Sequence, residues 1–203
     1  MATAPSPRSR DPEATRAAIL DAAETLFCER GFDGAATSAI AEAAGVTKSL
    51  LHHHYGSKEG LWHAVVERRF DAYARLQWAL LERGEKDLSS FRDSIDALFA
   101  FLRDNPEFVR LHAWANAGGD ASRKLPDGHP LTRRGVERLR EIQAEGGLHS
   151  ELDPAVVLAV YFCLIEHWFQ ARESLRERFG DALPDDDVYL HQMRALLLRG
   201  IRP

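Results

Sequence analysis

The chain's 203 residues, 45% apolar and 28% charged, suffice to bury a sizeable core as one large or two small domains. Its longest strongly apolar run, residues 155–165, is too short to span a bilayer, and residues 1–10 lack the apolar stretch of a secretion signal, so a cytoplasmic chain without a membrane partner is expected. A formal net charge of −5 excludes binding to a polyanion through global charge and leaves only a local basic surface for such a role.

At the N-terminus Arg8, Arg10 and Arg16 form a basic arm that also holds Pro5 and Pro7; it reads either as a polyanion contact or as a solvated tail. Asp11-Pro12 supplies a cap and a proline at the first helical position. Ile19, Ala22, Ala23, Leu26 and Phe27 then recur at helical spacing until Gly31 ends the first helix. A short second helix over 37–44 turns Ile40 and Ala41 inward. A third, over 47–54, is capped by the Thr47 hydroxyl and turns Leu51 and Tyr55 inward at i, i+4, with Ser49, Leu50, His52 and His53 outward. Between them Ala44-Gly45-Val46 makes a bend in which Gly45 takes a positive φ. Ser57 caps a long fourth helix that carries Leu61, Val65, Phe70, Tyr73 and Leu80 to Arg83.

The fifth helix, from Leu88 to Leu102, is ended by Asn105-Pro106, and a sixth runs on to Gly118-Gly119. After a loop with Pro126, Asp127 and Gly128, a seventh carries Leu131, Val136, Leu139 and Ile142 and stops at Gly146-Gly147. Asp153-Pro154 opens an eighth that Gly180 closes, and Pro184 with Asp185 to Asp187 opens a ninth. With no alternating strand-like run and no internal repeat, an all-α chain of about nine helices is predicted. Cys28 and Cys163 lack zinc-ligand spacing and read as buried small hydrophobes rather than a disulfide.

Residues 31–62 carry the most specific signal, because their glycines, inward apolar positions and bend have the spacing of a helix-turn-helix. Residues 1–62 as a whole hold six Lys and Arg against eight Asp and Glu. Between Glu42 and Glu59, however, there is no acidic residue, while Lys48, Lys58 and three histidines lie in that gap, so a positive field is local to the third helix. The block resembles the N-terminal DNA-binding domain of the TetR family of bacterial repressors. That resemblance implies a one-component transcriptional regulator whose third helix enters the major groove while Lys58 grips a phosphate. It implies DNA contacts among Thr37, Thr47, Lys48, Ser49, Leu50, His52, His53, His54 and Lys58. The chain departs from the family's usual aromatic at His52, its small residue or threonine at Leu50, and its serine or threonine at Ala36. The domain division that follows is an N-terminal arm and helix-turn-helix over 1–56 and an effector-binding and dimerisation body over 57–203. A homodimer on a pseudo-palindromic operator, released by a small molecule, is the expected mode of action.

Other chemistry is disfavoured. Successive side chains on a helix point about 100° apart, so His52, His53 and His54 cannot converge on one metal ion, and no metal site is expected. No glutamate has a histidine three residues later, as a di-iron bundle would need, and no Gly-x-Ser-x-Gly, Gly-x-Gly-x-x-Gly, phosphate-binding loop or His-Glu-x-x-His occurs, so neither an enzyme nor a bound cofactor is expected. A helical adaptor that used its helix-turn-helix only for packing would give no reason for an acid-free, outward-polar third helix.

An apolar cavity between helices of the body is the expected effector site, with Phe99, Phe108, His112, Trp114, Tyr161, His167, Trp168 and Gln170 as candidate lining. Those side chains suit an aromatic or hydrophobic ligand. Residues 155–165 are apolar around the whole helix, so one face must meet something other than the chain's own body. A dimer seam of Val157, Tyr161, Leu164 and Trp168, faced by Tyr189, Met193, Leu196 and Leu197, is therefore predicted, making a four-helix interface between two chains.

Overall fold

A computed structural model describes residues 11–83, 87–117 and 130–203. Arg8 and Arg10 of the arm, the Gly118-Gly119 stop and the loop with Pro126, Asp127 and Gly128 lie outside the described residues. Among those residues the chain forms ten α-helices and one 3-10 turn, with no strand.

Helix α1 (Pro12–Gly34) starts where Asp11 accepts from the Glu13 N–H at 3.0 Å, ahead of the proline. It breaks at Gly31, where φ is 67° and ψ −179°, and a last short turn follows. Helix α2 (Thr37–Ala43) has no side-chain cap, since Ala36 stands at that position. It ends in a Schellman turn: the Val46 N–H donates to the Ala41 carbonyl (2.9 Å), the Gly45 N–H to that of Glu42 (3.0 Å), and Gly45 takes φ 64°. Helix α3 (Lys48–Tyr55) is capped as predicted by Thr47, which accepts from the Leu50 N–H at 3.2 Å. Helix α4 (Lys58–Glu82) is capped by Ser57.

Helices α5 (Leu88–Asp104), α6 (Pro106–Ala117) and α7 (Pro130–Ala144) follow the expected order. The eighth predicted helix is two. Helix α8 (Pro154–Gln170) stops at Ala171, and α9 (Arg172–Phe179) leaves at 75° to it, followed by a 3-10 turn (Gly180–Ala182) and α10 (Asp186–Gly200). Neither Gly nor Pro marks that break. Its cause is tertiary: Arg172 bonds Asp186 and lies over the Trp168 and Phe169 rings at 5.7 and 5.2 Å, while Trp168 stacks on Tyr189 at 3.9 Å.

Two cores result. One gathers Ile19, Phe27, Phe32, Ile40, Leu51 and Tyr55 around Trp62, with Leu61, Val65 and Val66 of α4 and Leu111 and Ala115 of α6 closing it. The other holds Tyr73, Phe91, Ile95, Phe99, Leu139, Tyr161, Ile165 and Trp168, from α4, α5, α7 and α8. The two cores meet along α4, between Val66 and Tyr73, so α4 belongs to both. Cys28 is buried, with its thiol pushed up to about 11 chiefly by that burial, but Cys163 is exposed, a correction to the expectation that both are interior. No single helix among the described residues is long and apolar enough to cross a membrane.

Candidate nucleic-acid interface and effector cavity

Helix α3 is held from below. Leu51 is fully buried, and the Tyr55 hydroxyl donates to the Arg16 carbonyl at 2.9 Å while the Arg16 guanidinium covers its ring at 4.7 Å. With that face fixed, Lys48, Ser49 and His53 are exposed and Leu50, His52 and His54 half-buried on the opposite side. Eight residues make a rod about 12 Å long, short enough to lie within a major groove about 12 Å wide, with Lys48 and Ser49 at the N-terminal end that reads base edges in such motifs.

His52 Nδ1 lies 2.9 Å from the Gly56 carbonyl, and because a carbonyl only accepts, Nδ1 carries the proton. This fixes the ring and leaves Nε2 as the free nitrogen. The rings of His53 and His54 are 5.6 Å apart, and among the described residues no group of three or more His, Cys, Asp or Glu could hold a metal ion. Lys58 opens α4 with its Nζ 3.4 Å from the Asp33 carbonyl and 4.7 Å above the Phe32 ring, so it rests on the end of α1 beside α3. Thr47 is exposed, and Thr37, at the start of α2, is half-buried.

Among the contacts that join the reading unit to the body are two that the sequence did not reveal. Glu24 of α1 is 7% exposed and accepts from Arg68 Nη2 and Arg69 Nε of α4, both at 2.6 Å, while Arg68 Nη1 bonds Asp21 at 2.7 Å. At the α1 break, Trp114 of α6 packs so closely on Gly31 that a Cβ there would stand 2.9 Å from its ring. Trp114, 46% exposed, thus covers the α1 break.

The body holds a cavity of ≈ 40 Å³ between α4, α5, α7 and α8. Phe91, Leu131, Leu139, Leu158 and Phe162 give its apolar wall; Gln77, Ser90, Ser94, Thr132 and Arg138 give polar groups, with Tyr73 and Tyr161 between them. The Tyr161 hydroxyl donates to the Ser94 carbonyl at 3.0 Å, as does Gln77 Nε2 at 3.0 Å, and the Tyr73 and Tyr161 hydroxyls are hydrogen-bonded to each other. Burial pushes both phenols well above their usual range, so both stay neutral donors.

Of the candidate lining residues, Tyr161 alone reaches this cavity. Phe99 and Trp168 are core, and Phe108 stacks on His112 at 5.9 Å. His112 Nδ1 lies 3.6 Å from Glu166 and 3.5 Å from the Gln170 amide; His167 and Gln170 are exposed. The missed residues had a sequence signal: Ser90 and Ser94 interrupt the apolar face of α5 at i, i+4, and Arg138 sits beside Leu139 on the core face of α7.

Of the eight residues of the predicted seam, only Leu164 and Leu196 are exposed in the single chain. Val157, Tyr161 and Trp168 of α8 and Met193 and Leu197 of α10 are buried within the single chain, because α8 turns that stripe onto α5 and α7. Tyr189 is half-buried, its hydroxyl donating to the Leu164 carbonyl at 2.8 Å. The exposed apolar stripe joins Leu164 and Leu196 of that seam to Val156 and Val160 on α8 and Val188 on α10, Leu196 being 76% exposed.

The chain is similar to known proteins in sequence and fold. Residues 19–65 match the family model described as bacterial regulatory proteins, tetR family, and residues 90–197 match the tetracyclin repressor-like C-terminal domain. The chain is 34% identical over 165 residues to the HTH-type transcriptional repressor SCO4008 of Streptomyces coelicolor, covering 79% of this chain and 80% of that one. It is 25% identical over 180 residues to IcaR of Staphylococcus epidermidis, a negative transcriptional regulator of a biofilm operon, covering 88% and 95%. A crystal structure of a gamma-butyrolactone receptor, an ArpA-like protein, superposes with a TM-score of 0.65 at 28% identity, covering 95% of this chain and 90% of that one. Family and relatives are regulators rather than enzymes. The helix-turn-helix, the helical body and both matched regions place the chain in the TetR family, as a DNA-binding transcriptional regulator.

Proposed function

We propose that the protein is a homodimeric repressor that holds a pseudo-palindromic operator in the cytoplasm and releases it when a small, largely apolar molecule enters the body. The observation that carries this reading is α4, whose first half closes the core of the reading unit and whose second half lines the cavity through Tyr73 and Gln77. Residues 1–56 act as the reading unit and 57–203 as the effector and dimerisation body. Lys48, Ser49 and His53 contact base edges, Leu50 meets a thymine methyl group, and Thr37, Thr47, His52, His54 and Lys58 meet the backbone.

Two chains associate through the exposed stripe of α8 and α10, placing two α3 helices on successive major grooves. A cavity of ≈ 40 Å³ has room for about three water molecules, far less than an organic effector needs. Binding therefore selects a form in which α4, α5, α7 and α8 stand further apart. Because α4 is shared, that form changes the spacing of the α3 helices, and affinity for ligand and operator must oppose each other by the same factor. The similar structure that is a gamma-butyrolactone receptor supports a small-molecule occupant.

The test is footprinting of the purified protein on the DNA flanking its own coding region, repeated with each compound that raises the melting temperature in a metabolite screen. Two symmetric half-sites, lost on adding such a compound, are expected. A single unpaired half-site refutes the dimer, and a compound that binds equally well with and without operator is no inducer.

A further inference from the structure

We infer that the effector is an organic anion, a carboxylate on an apolar skeleton, and that Arg138 is the residue that recognises its charged end; this rests on the reading of the α4, α5, α7 and α8 cavity as the effector site. Arg138 is 5% exposed and lines that cavity. Its Nη2 donates to the Leu81 carbonyl and its Nη1 lies 3.1 Å from Glu141, but its Nε is buried with no hydrogen-bond partner among the described residues. A buried donor left unpaired is costly, and a guanidinium donor more so than a neutral one.

The cavity's own acceptors do not answer it. The Ser94 carbonyl already takes both Tyr161 and Gln77, and none of the lining acceptors reaches the Arg138 Nε. No carboxylate is among the lining residues. Glu141, which pairs with Arg138 from outside the cavity, is shared with Arg134 at 2.9 Å. An occupant that brings an acceptor to Arg138 meets an unspent N–H on a cation, and an ionised acceptor makes the stronger, shorter bond. The tyrosines, neutral at working pH, offer hydroxyls but no competing negative charge. One cation among otherwise uncharged lining residues suits a single carboxylate better than a dianionic phosphate, and the apolar side of the wall selects the remainder of the molecule. Filling this site also satisfies the orphaned Nε, so the ligand gains from a group that the empty form leaves unsatisfied.

The test uses two matched series on the full-length protein: phenylacetate, phenylacetamide and 2-phenylethanol, and octanoate, octanamide and 1-octanol. Thermal shift and calorimetric titration are run on the wild type, on Arg138→Gln and on Thr132→Trp, which narrows the cavity at an exposed lining position. The expected result is that in at least one series the carboxylate binds ten-fold or more tighter than its amide and alcohol, that Arg138→Gln brings the three within three-fold, and that Thr132→Trp weakens all three. The wild-type comparison decides the matter even where Arg138→Gln does not fold. Equal binding of carboxylate and amide, with both weakened by Thr132→Trp, overturns the anion assignment and leaves the cavity as the effector site. Binding unaffected by Thr132→Trp, or no binding by any member of either series, overturns both.

Discussion

Replacing Leu196 by arginine separates the single chain from its assembly. In the isolated chain Leu196 is 76% exposed on α10, so an arginine there is a surface change that costs within about 0.5 kcal/mol of folding stability. In a dimer built on the α8 and α10 stripe the same position is covered. Fully burying a leucine contributes about 2 kcal/mol or more, and with three quarters of it still to be buried each copy brings about 1.5 to 2 kcal/mol to association. A two-fold interface contains the position twice, which makes about 3 to 4 kcal/mol, and two like charges brought into a desolvated seam add a further penalty. At 1.4 kcal/mol per factor of ten, dimerisation should weaken about a hundred-fold or more. Sedimentation velocity at about 20 nM, above a nanomolar dimer constant and below one weakened a hundred-fold or more, should show a wild-type chain that is mostly dimer and a variant that is mostly monomer with an unchanged helical circular dichroism spectrum, and operator affinity should fall with it. A persistent dimer places the interface elsewhere, whereas an unfolded chain assigns the stripe to the folding core and refutes the burial argument itself.

Lys58→Ala should weaken binding to all DNA sequences alike and reduce the slope of log affinity against log salt by about one, since a phosphate contact releases counterions without reading bases. A change of sequence preference in that variant would contradict the role given to Lys58. Gly31→Ala should destabilise the chain by about 1–3 kcal/mol in urea denaturation, because φ 67° with ψ −179° is a region nearly confined to glycine and Trp114 blocks a Cβ at 2.9 Å. Adding Trp114→Ala should recover only the steric part, and full recovery would show that backbone conformation contributes nothing. Desolvation raises the Glu166 carboxyl above 4.5, opposed by His112. A folded pKa above the unfolded one means that its stabilising contribution is complete below pH 4.5 and is lost as pH rises through the folded value. Glu166→Gln should therefore raise the melting temperature at pH 7 relative to the wild type and lose that advantage near pH 4; an equal shift at both pH values would exclude titration of Glu166 as the cause.

Local chemistry determined the elements of the reading unit. Asp11-Pro12, Thr47 and Ser57 cap their helices through their own side chains, and Gly45 turns between α2 and α3 because its positive φ is inexpensive only for glycine, so sequence neighbours alone suffice to place α3 and its outward face. The same holds for Asp153-Pro154 and Asp185 in the body. What the sequence left open depends on residues far apart in the chain. The break between α8 and α9 comes from Arg172 meeting Asp186, and no glycine or proline announces it. The outward stripe of α8 could not be read from a helix apolar all round, since only its packing on α5 and α7 decides that Val157 and Tyr161 face in and Val156 and Val160 face out. The cavity likewise exists only where four helices diverge, which brings Ser94, Arg138 and Tyr161 together from three of them, and periodicity within any one helix carries no information about that meeting.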